Sequence, residues 1–146
     1  MEYKLLLASD GSDNAVRAAE FTVELLAAAP DIKVTVLAVN DIIEKMKYYS
    51  PLRSPVVLEE VEIFFREKTD EALETTMEVF KKHGVKVNGV AKLGNPARVI
   101  VDYARDEGVN HIVIGSRGLG SLKGIVLGSV SSKVIQLASC PVTVVK

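Results

Sequence analysis

A glycine-rich segment, residues 115–132, holds the groups of this chain best suited to binding an anion. It contains five glycines, follows an apolar run typical of a strand, and leads into a predicted helix. Glycine lets backbone N–H groups turn toward a ligand, and the start of a helix offers unpaired N–H donors at the positive end of its dipole. The segment therefore predicts a cradle for phosphate oxygens. The structural alternative is that its glycines serve loop geometry and its serines cap the helix.

The charges around this segment favour the same chemistry. The 39 residues from Gly108 to Lys146 contain no Asp or Glu, but they do contain Arg117, Lys123 and Lys133. The whole chain has a formal net charge of −1, so this cationic region is local. A local cationic region suits a small anion, whereas the lack of a global basic field argues against nucleic acid as a partner.

Two common phosphate motifs are absent from the segment. Gly115 and Gly120 have the spacing of a P-loop, but Ser121-Leu122 stands where that loop needs Lys followed by Ser or Thr. The dinucleotide fingerprint requires its glycines after the first strand, whereas these follow the fourth predicted strand. The sequence thus predicts neither a Walker-type ATPase nor redox use of NAD.

The elements that must position the segment alternate along the chain. Strands are predicted over residues 3–9, 33–40, 85–93, 111–115 and 141–146, and helices over residues 13–29, 57–83, 96–104 and 129–138. Residues 41–55 show no clean period and are predicted to form a long, irregular connection. Asn95 is the expected N-cap of the third helix, with Pro96 at its first position.

This alternation predicts an α/β fold in one domain over residues 1–146. Parallel strands need crossover helices, so we expect a single doubly wound, five-stranded parallel sheet with helices on both faces, which is Rossmann-like. Ligands of such sheets bind outside the carboxyl ends of the strands, where the strand order reverses. That rule directs attention to Asp10, Val39, Gly94 and Gly115.

Composition places the chain among ordinary globular proteins. It has 146 residues, of which 48% are apolar and 25% charged. Cys140 is the single cysteine, which excludes an internal disulfide and suits a reducing compartment. No signal-peptide pattern and no apolar run near ~20 residues is found, so a cytoplasmic protein without membrane association is expected.

The glycine spacing is similar to a pattern known from one family. Gly115-x₂-Gly118-x₉-Gly128-Ser129 matches G-x₂-G-x₉-G-S/T at every specified position. Further similarity lies in LLLASDGS, in VTVLAVND, in GNP before the third helix and in the ending GSVSSKVIQLASCPVTVVK. The chain resembles the universal stress protein family, in particular its ATP-binding branch, over nearly its full length.

The resemblance implies roles for residues at three strand ends. Asp10 corresponds to the carboxylate that binds the ribose, although the residue type alone equally fits an N-cap or an Asx turn. Ala8 stands where relatives have proline in the wall of the adenine pocket. Val39 corresponds to the residue whose backbone meets the adenine edge, and Gly115 lies near the ribose.

For the phosphates, the resemblance implies Gly118, Gly128, Ser129, Val130 and Ser131, with the cationic Arg117 beside them. It also implies a Mg²⁺ or Mn²⁺ ion held mainly by the triphosphate, and a homodimer built on the C-terminal strand.

We therefore expect an ATP-binding, nucleotide-responsive regulatory or stress-survival module that acts on a downstream protein not named by the sequence. Turnover should be slow or absent, because no carboxylate accompanies the glycine-rich segment to take a proton from water. The alternatives are a slow ATPase or phosphotransferase, and a nucleotide-free dimeric interaction protein of the same fold. His83, His111 and Cys140 have no spacing or context that predicts metal binding or catalysis.

Overall fold

The computed structural model describes residues 1–40, 55–117 and 127–146. Strands and helices alternate along these residues. The strands are β1 (Lys4–Ser9), β2 (Lys33–Asn40), β3 (Asn88–Leu93), β4 (His111–Gly115) and β5 (Val142–Val145). The helices are α1 (Asp13–Ala28), α2 (Pro55–Lys82), α3 (Pro96–Asp106) and α4 (Ser129–Leu137).

The strands form one sheet in the order β3-β2-β1-β4-β5, and every neighbouring pair is parallel. β1 lies at the centre, where it pairs with β2 from Lys4↔Lys33 and with β4 from Leu5↔His111. The chain runs outward from β1 in one direction to β3, then crosses to β4 and continues to β5. The strand order therefore reverses between β1 and β4. This arrangement confirms the predicted doubly wound α/β fold.

Two hydrophobic cores lie on opposite faces of the sheet. Alternate residues of β1 serve each face, with Leu5 and Leu7 on one and Leu6 and Ala8 on the other. The first core contains residues of α1 and α2: Ala18, Ala19, Leu26 and Phe80. The second contains residues of α3 and α4: Ala97, Ile100, Ala104 and Val134. Helices thus cover both faces, which explains why the strands are nearly continuous apolar runs.

Local sequence sets the starts of two helices. The Ser12 hydroxyl accepts a hydrogen bond from the Ala15 N–H at 3.3 Å and caps α1. The Asn95 side chain accepts one from the Arg98 N–H at 3.1 Å, directly before Pro96 opens α3. The predicted N-cap at Asn95 is confirmed.

The start of β3 differs from the prediction. A strand from residue 85 was expected, but β3 begins at Asn88, where it first pairs with Thr35 of β2. The Val85 N–H donates to the Phe80 carbonyl at 3.0 Å and so completes the end of α2. The prediction was wrong because an apolar pattern does not reveal that this amide is used by the preceding helix.

The predicted connection over residues 41–55 falls almost wholly outside the described residues. Its last residue, Pro55, is the first residue of α2, a position that proline favours because it lacks an N–H group to leave unpaired. None of the helices described here is both long enough and apolar enough to cross a bilayer.

Candidate functional site

Asp10 directly follows β1, the central strand, at its carboxyl end. One carboxyl oxygen, Oδ1, accepts a hydrogen bond from the Ser12 N–H at 2.9 Å, which forms an Asx turn. The N-cap of α1 is Ser12 and not Asp10. Of the two structural roles expected for Asp10, the turn is therefore present and the cap is not. The turn holds the carboxyl group beside the point where the strand order reverses.

The loop that carries Asp10 rests directly on α2. Gly11 has φ +78°, a conformation that favours glycine. A Cβ placed on Gly11 would lie 3.0 Å from both the Cα and the Cβ of Ala72. Glycine therefore serves two purposes here, since it permits the turn and lets the loop approach the helix closely.

A second close approach brings the end of β4 against the start of α1. A Cβ placed on Gly115 would lie 3.0 Å from the Asn14 backbone and from its Cβ. Gly115 follows Ile114, which pairs with Ala8 of β1. The segment after β1 and the end of β4, both predicted to lie at the ribose, are thus brought together.

Asn14 is a polar residue of this region that no sequence pattern indicated. It is 7% exposed, and its Oδ1 has no hydrogen-bond partner within the described part of the chain. A polar residue in the first turn of a helix ordinarily faces water, so the sequence pattern carried no signal for its burial. The structure places an unpaired acceptor beside Gly115.

The Ser116 carbonyl joins the two described ends of the glycine-rich segment. This oxygen accepts hydrogen bonds from the Gly128 N–H at 2.5 Å and from the Ser131 hydroxyl at 2.9 Å. The Ser116 N–H in turn donates to the Val145 carbonyl at 2.7 Å. We call Ser116, Gly128 and Ser131 the loop-base cluster. It fixes Ser116, near the start of the segment, against Gly128, the residue that precedes α4.

Ser131 is part of this cluster, although the resemblance had implied a contact with phosphate. The side chain is 2% exposed, and its hydroxyl also lies 3.1 Å from the Gly128 carbonyl. A hydroxyl has one proton to donate, and here that proton is directed at backbone carbonyls. The Ser131 side chain therefore holds the start of α4 to Ser116.

The start of α4 presents backbone donors at the same place. The first bond of this helix runs from the Ser132 N–H to the Gly128 carbonyl at 3.0 Å, so the N–H groups of Ser129, Val130 and Ser131 precede the helical ladder. These groups and the helix dipole favour an anion. The first turn of α4 holds no acidic residue.

Arg117 adds a cation near these donors. Its Cα lies 3.4 Å from the position that a Cβ on Gly128 would take, and its side chain is half-buried. Gly118 and Lys123, also expected at the phosphates, lie outside the described residues.

Val39 and Ala8 lie at neighbouring strand ends. The Asn40 carbonyl accepts from Gly94 after β3, and because successive residues of a strand point to opposite neighbours, the Val39 carbonyl points toward β1. The pairing of β1 with β2 ends at Ser9↔Ala38, so this carbonyl lies beyond the last pair. Ala8 is 4% exposed and packs in the core on the α3 side of the sheet.

The titratable groups with shifted pKa values belong to the fold and not to this region. Burial lowers the pKa of His111, whose Nε2 lies 2.7 Å from the Thr143 Oγ1 and joins β4 to β5. Burial raises the pKa of the Cys140 thiol, which disfavours the reactive thiolate. No cluster of His, Cys, Asp or Glu within the described ranges could hold a metal ion.

The chain is similar to known proteins over nearly its whole length. The sequence profile of the universal stress protein family matches residues 2–146. The chain belongs to the universal stress protein family. Universal stress protein YxiE of Bacillus subtilis is 34% identical over 148 residues, a match that covers 98% of each chain. The predicted family is confirmed.

Solved structures of universal stress proteins share the fold. The structure of hypothetical protein MJ0577 has a TM-score of 0.79 and 31% identity, and the match covers 100% of this chain and 96% of that one. A family member from Arabidopsis thaliana was solved with AMP bound; it has a TM-score of 0.69 and 25% identity, with 99% and 91% coverage. The universal stress protein of Archaeoglobus fulgidus was solved with dAMP, at a TM-score of 0.65, 25% identity and 100% coverage of both chains.

The two glycines of the site should respond differently to alanine. Gly115→Ala places a methyl group 3.0 Å from the Asn14 backbone, so we expect a loss of about 1–3 kcal/mol in the free energy of unfolding. Gly128→Ala should cost less than about 1 kcal/mol, because its nearest contact would be 3.4 Å and its φ of −76° suits alanine. Urea unfolding of both variants measures the difference, and equal stabilities would contradict the close packing at Gly115.

Proposed function

We propose that this universal stress protein binds an adenine nucleotide, ATP, at the carboxyl ends of β1, β2 and β4, within one nucleotide-binding domain. The observation that carries the proposal is the loop-base cluster, which holds Ser116 against the start of α4. The two described ends of the glycine-rich segment therefore meet beside the N–H groups that precede the helical ladder of α4, and β4, which leads into the segment, is paired with β1, the strand before Asp10. The relatives solved with AMP and dAMP support an adenine nucleotide as the ligand.

In this proposal the phosphates lie over the start of α4. Gly118, Ser129 and Val130 bind them through backbone N–H groups, with Arg117 as the neighbouring cation. The Gly128 N–H donates to the Ser116 carbonyl, so Gly128 contributes to the phosphate site by having no side chain in the way. We assign Ser131 a supporting part, because its hydroxyl donates to the carbonyls of the loop-base cluster. A Mg²⁺ or Mn²⁺ ion would be held mainly by phosphate oxygens, since the described residues offer no ligand cluster of their own.

The nucleoside lies toward β1 and β2. The Asp10 carboxylate accepts hydrogen bonds from the ribose hydroxyls, with the backbone of Gly115 beside the ring. The Val39 carbonyl suits the exocyclic amino group of adenine, since it lies beyond the last β1–β2 pair. Ala8 contributes a small apolar surface in place of a larger side chain. Asp10 is thereby kept apart from the phosphates, whose charge would repel it.

The biological role that fits this site is that of a nucleotide-responsive regulatory module in the cytoplasm, one that supports survival under stress through a downstream protein. The nearly neutral chain and its single cysteine suit this compartment.

The first test measures nucleotide binding by calorimetry. We expect ATP and AMP to bind with dissociation constants between about 1 μM and 1 mM, the range from −8.2 to −4.1 kcal/mol. Gly118→Asp should abolish binding without unfolding the chain, because it adds an anion and a Cβ where phosphate oxygens approach backbone donors.

Ser139→Asp is the matched control, since it places the same charge at an exposed position of the same acid-free region. It should bind nucleotide like the wild type. If Gly118→Asp and the wild type bind ATP equally, the glycine-rich segment is not the phosphate site. If the wild type binds no adenine nucleotide, the nucleotide-free interaction protein is the better description.

The second test separates a regulatory module from an enzyme. No acid occurs from Gly108 onward, and cationic stabilisation alone supplies only part of a phosphoryl-transfer mechanism. We expect fewer than about one ATP hydrolysed per minute with saturating ATP and Mg²⁺, well below the usual ~1–10³ s⁻¹ of enzymes. A contaminating ATPase would be indifferent to Asp10→Asn and Gly118→Asp. A rate above about one per second that both substitutions remove would identify a slow ATPase or phosphotransferase instead.

We further propose that the protein is a homodimer through β5. This strand lies at one edge of the sheet, and all its residues are half-buried. The carbonyls of Pro141 and Val145 accept bonds from the β4 side, so Val142 and Val144 direct their N–H and C=O groups toward the open edge. No strand of the described residues pairs with this outer edge of β5. An apolar edge of this kind invites a second strand, and a two-fold axis would pair β5 with its own copy.

Proline substitution at the two edges of the sheet tests the dimer. Val144→Pro removes an outward N–H without removing a bond to β4, so it should shift sedimentation toward the monomer. Ala91→Pro is the matched control on β3, the opposite edge, where Gly94 donates inward and Ala91 therefore points outward. It should leave the dimer intact. An unchanged dimer in Val144→Pro would place the interface elsewhere.

A further inference from the structure

A chain of three hydrogen bonds, with a buried bond at its centre, joins the loop that carries Asp10 to the middle of α2. The Gly11 N–H donates to the Ser9 hydroxyl at 3.1 Å, and the Ser9 and Thr76 hydroxyl oxygens lie 2.6 Å apart. The Thr76 hydroxyl lies 3.1 Å from the Ala72 carbonyl, to which it donates. Thr76 is fully buried and Ser9 is 7% exposed, so water does not compete for the bond between their hydroxyls.

The direction of the chain follows from the protons available. The Thr76 hydroxyl has one proton, and the Ala72 carbonyl can only accept it. The Ser9 hydroxyl must then donate to the Thr76 oxygen, and its own oxygen accepts from Gly11. Each of the two hydroxyls thus donates one hydrogen bond and accepts one, which fixes the orientation of the Ser9 and Thr76 side chains together.

Thr76 differs in this respect from a threonine next to it on α2. Thr75 also donates to the carbonyl one turn earlier, that of Glu71, at 2.9 Å, but it is exposed. Thr76 adds to this back-bond a contact with Ser9, 67 residues away in the chain. A threonine hydroxyl that donates to the carbonyl four residues earlier is ordinary in a helix. The contact with Ser9 is therefore the feature that distinguishes Thr76 and suggests a role for it.

The link acts on the residues on either side of Asp10. Ser9 precedes Asp10 in the chain and Gly11 follows it. Gly11 packs closely on α2, because a Cβ added to it would lie 3.0 Å from Ala72. The Asp10 carboxyl group is held on its other side by the Ser12 N–H. The backbone that aims this carboxylate is therefore fixed by α2.

We infer that Thr76 is a positioning residue of the nucleotide site: through Ser9 and Gly11 it holds the Asp10 carboxylate in the orientation that receives the ribose. This inference rests on the proposed function. It also has a reciprocal consequence, because a ligand that requires the held loop must in turn strengthen the packing of α2 against that loop. Nucleotide binding should therefore protect the amides of α2 around residues 72–80 from hydrogen exchange.

The experiment compares AMP binding by wild type, Thr76→Val, Thr76→Ser and Thr75→Val in calorimetry. Valine keeps the shape of threonine and removes the hydroxyl, so Thr76→Val should weaken AMP binding about fivefold, which corresponds to about 1 kcal/mol. Thr76→Ser keeps the hydroxyl and should bind AMP like the wild type, even where the lost methyl group lowers the melting temperature. Thr75→Val, the same change one residue away on the exposed side, should bind AMP like the wild type.

Two further readouts separate positioning from a loss of stability. Ser9→Ala breaks the link from the other end and also removes the acceptor of the Gly11 N–H. The double variant with Thr76→Val should bind AMP no more weakly than Ser9→Ala alone, because Ser9→Ala already removes the bond between the two hydroxyls. In hydrogen exchange, AMP should protect residues 72–80 of the wild type and of Thr75→Val but not of Thr76→Val. If Thr76→Val fails to fold, Ser9→Ala carries the same comparison.

Each outcome decides a different point. Wild-type affinity in both Thr76→Val and Ser9→Ala would overturn the positioning role and leave the proposed function standing. Equal weakening by Thr76→Val and Thr76→Ser would also overturn it, because the hydroxyl would then not matter. A wild type that binds no adenine nucleotide would overturn the proposed function and this inference with it.

Discussion

The parallel pairing of β1 with β4 is the contact on which the rest of this molecule depends. It joins residues far apart in the chain, as the bond of 2.8 Å between the Lys4 N–H and the Asn110 side chain shows across 106 positions. It sets the reversal of strand order, places helices on both faces and brings the Asx turn after β1 next to the end of β4. Without this pairing, Asp10 and the start of the glycine-rich segment, which are far apart in the chain, would not be close in space.

Packing around this pair accounts for the shape of the candidate site. Helices approach the ends of β1 and β4 closely because Gly11 and Gly115 have no side chain in the way. At the start of α4, the Ser116 carbonyl accepts hydrogen bonds from the Gly128 N–H and the Ser131 hydroxyl. The same contacts that complete the core therefore also hold the groups proposed to bind a nucleotide. In this region stability and function draw on one set of contacts.

Much of this arrangement could be predicted from the sequence, because it follows from local rules. Apolar runs and turn residues located the strands, Asn95 and Pro96 marked a helix start, and the fold class followed from the alternation of elements. The features that the sequence did not indicate have a common cause. The start of β3 depends on a hydrogen bond from the Val85 N–H to the preceding helix. The burial of Asn14 depends on its packing against Gly115, and the supporting role of Ser131 depends on its bond to the Ser116 carbonyl. Contacts between distant residues, such as Ser9 with Thr76, leave no mark in the spacing of residue types.

The central position of β1 has a consequence for how the protein is made. During synthesis the chain emerges from its amino end, so β1, β2 and β3 can assemble with α1 and α2 before β4 exists. Until residues 111–115 are available, one edge of β1 remains open, and the residues along it, Leu5, Leu6 and Leu7, are almost completely buried in the finished fold. An exposed apolar strand edge in an incomplete sheet is a site for misassembly, and pairing across so long a separation is slow to form. The nascent chain is thus most vulnerable to aggregation between the completion of β3 and the arrival of β4.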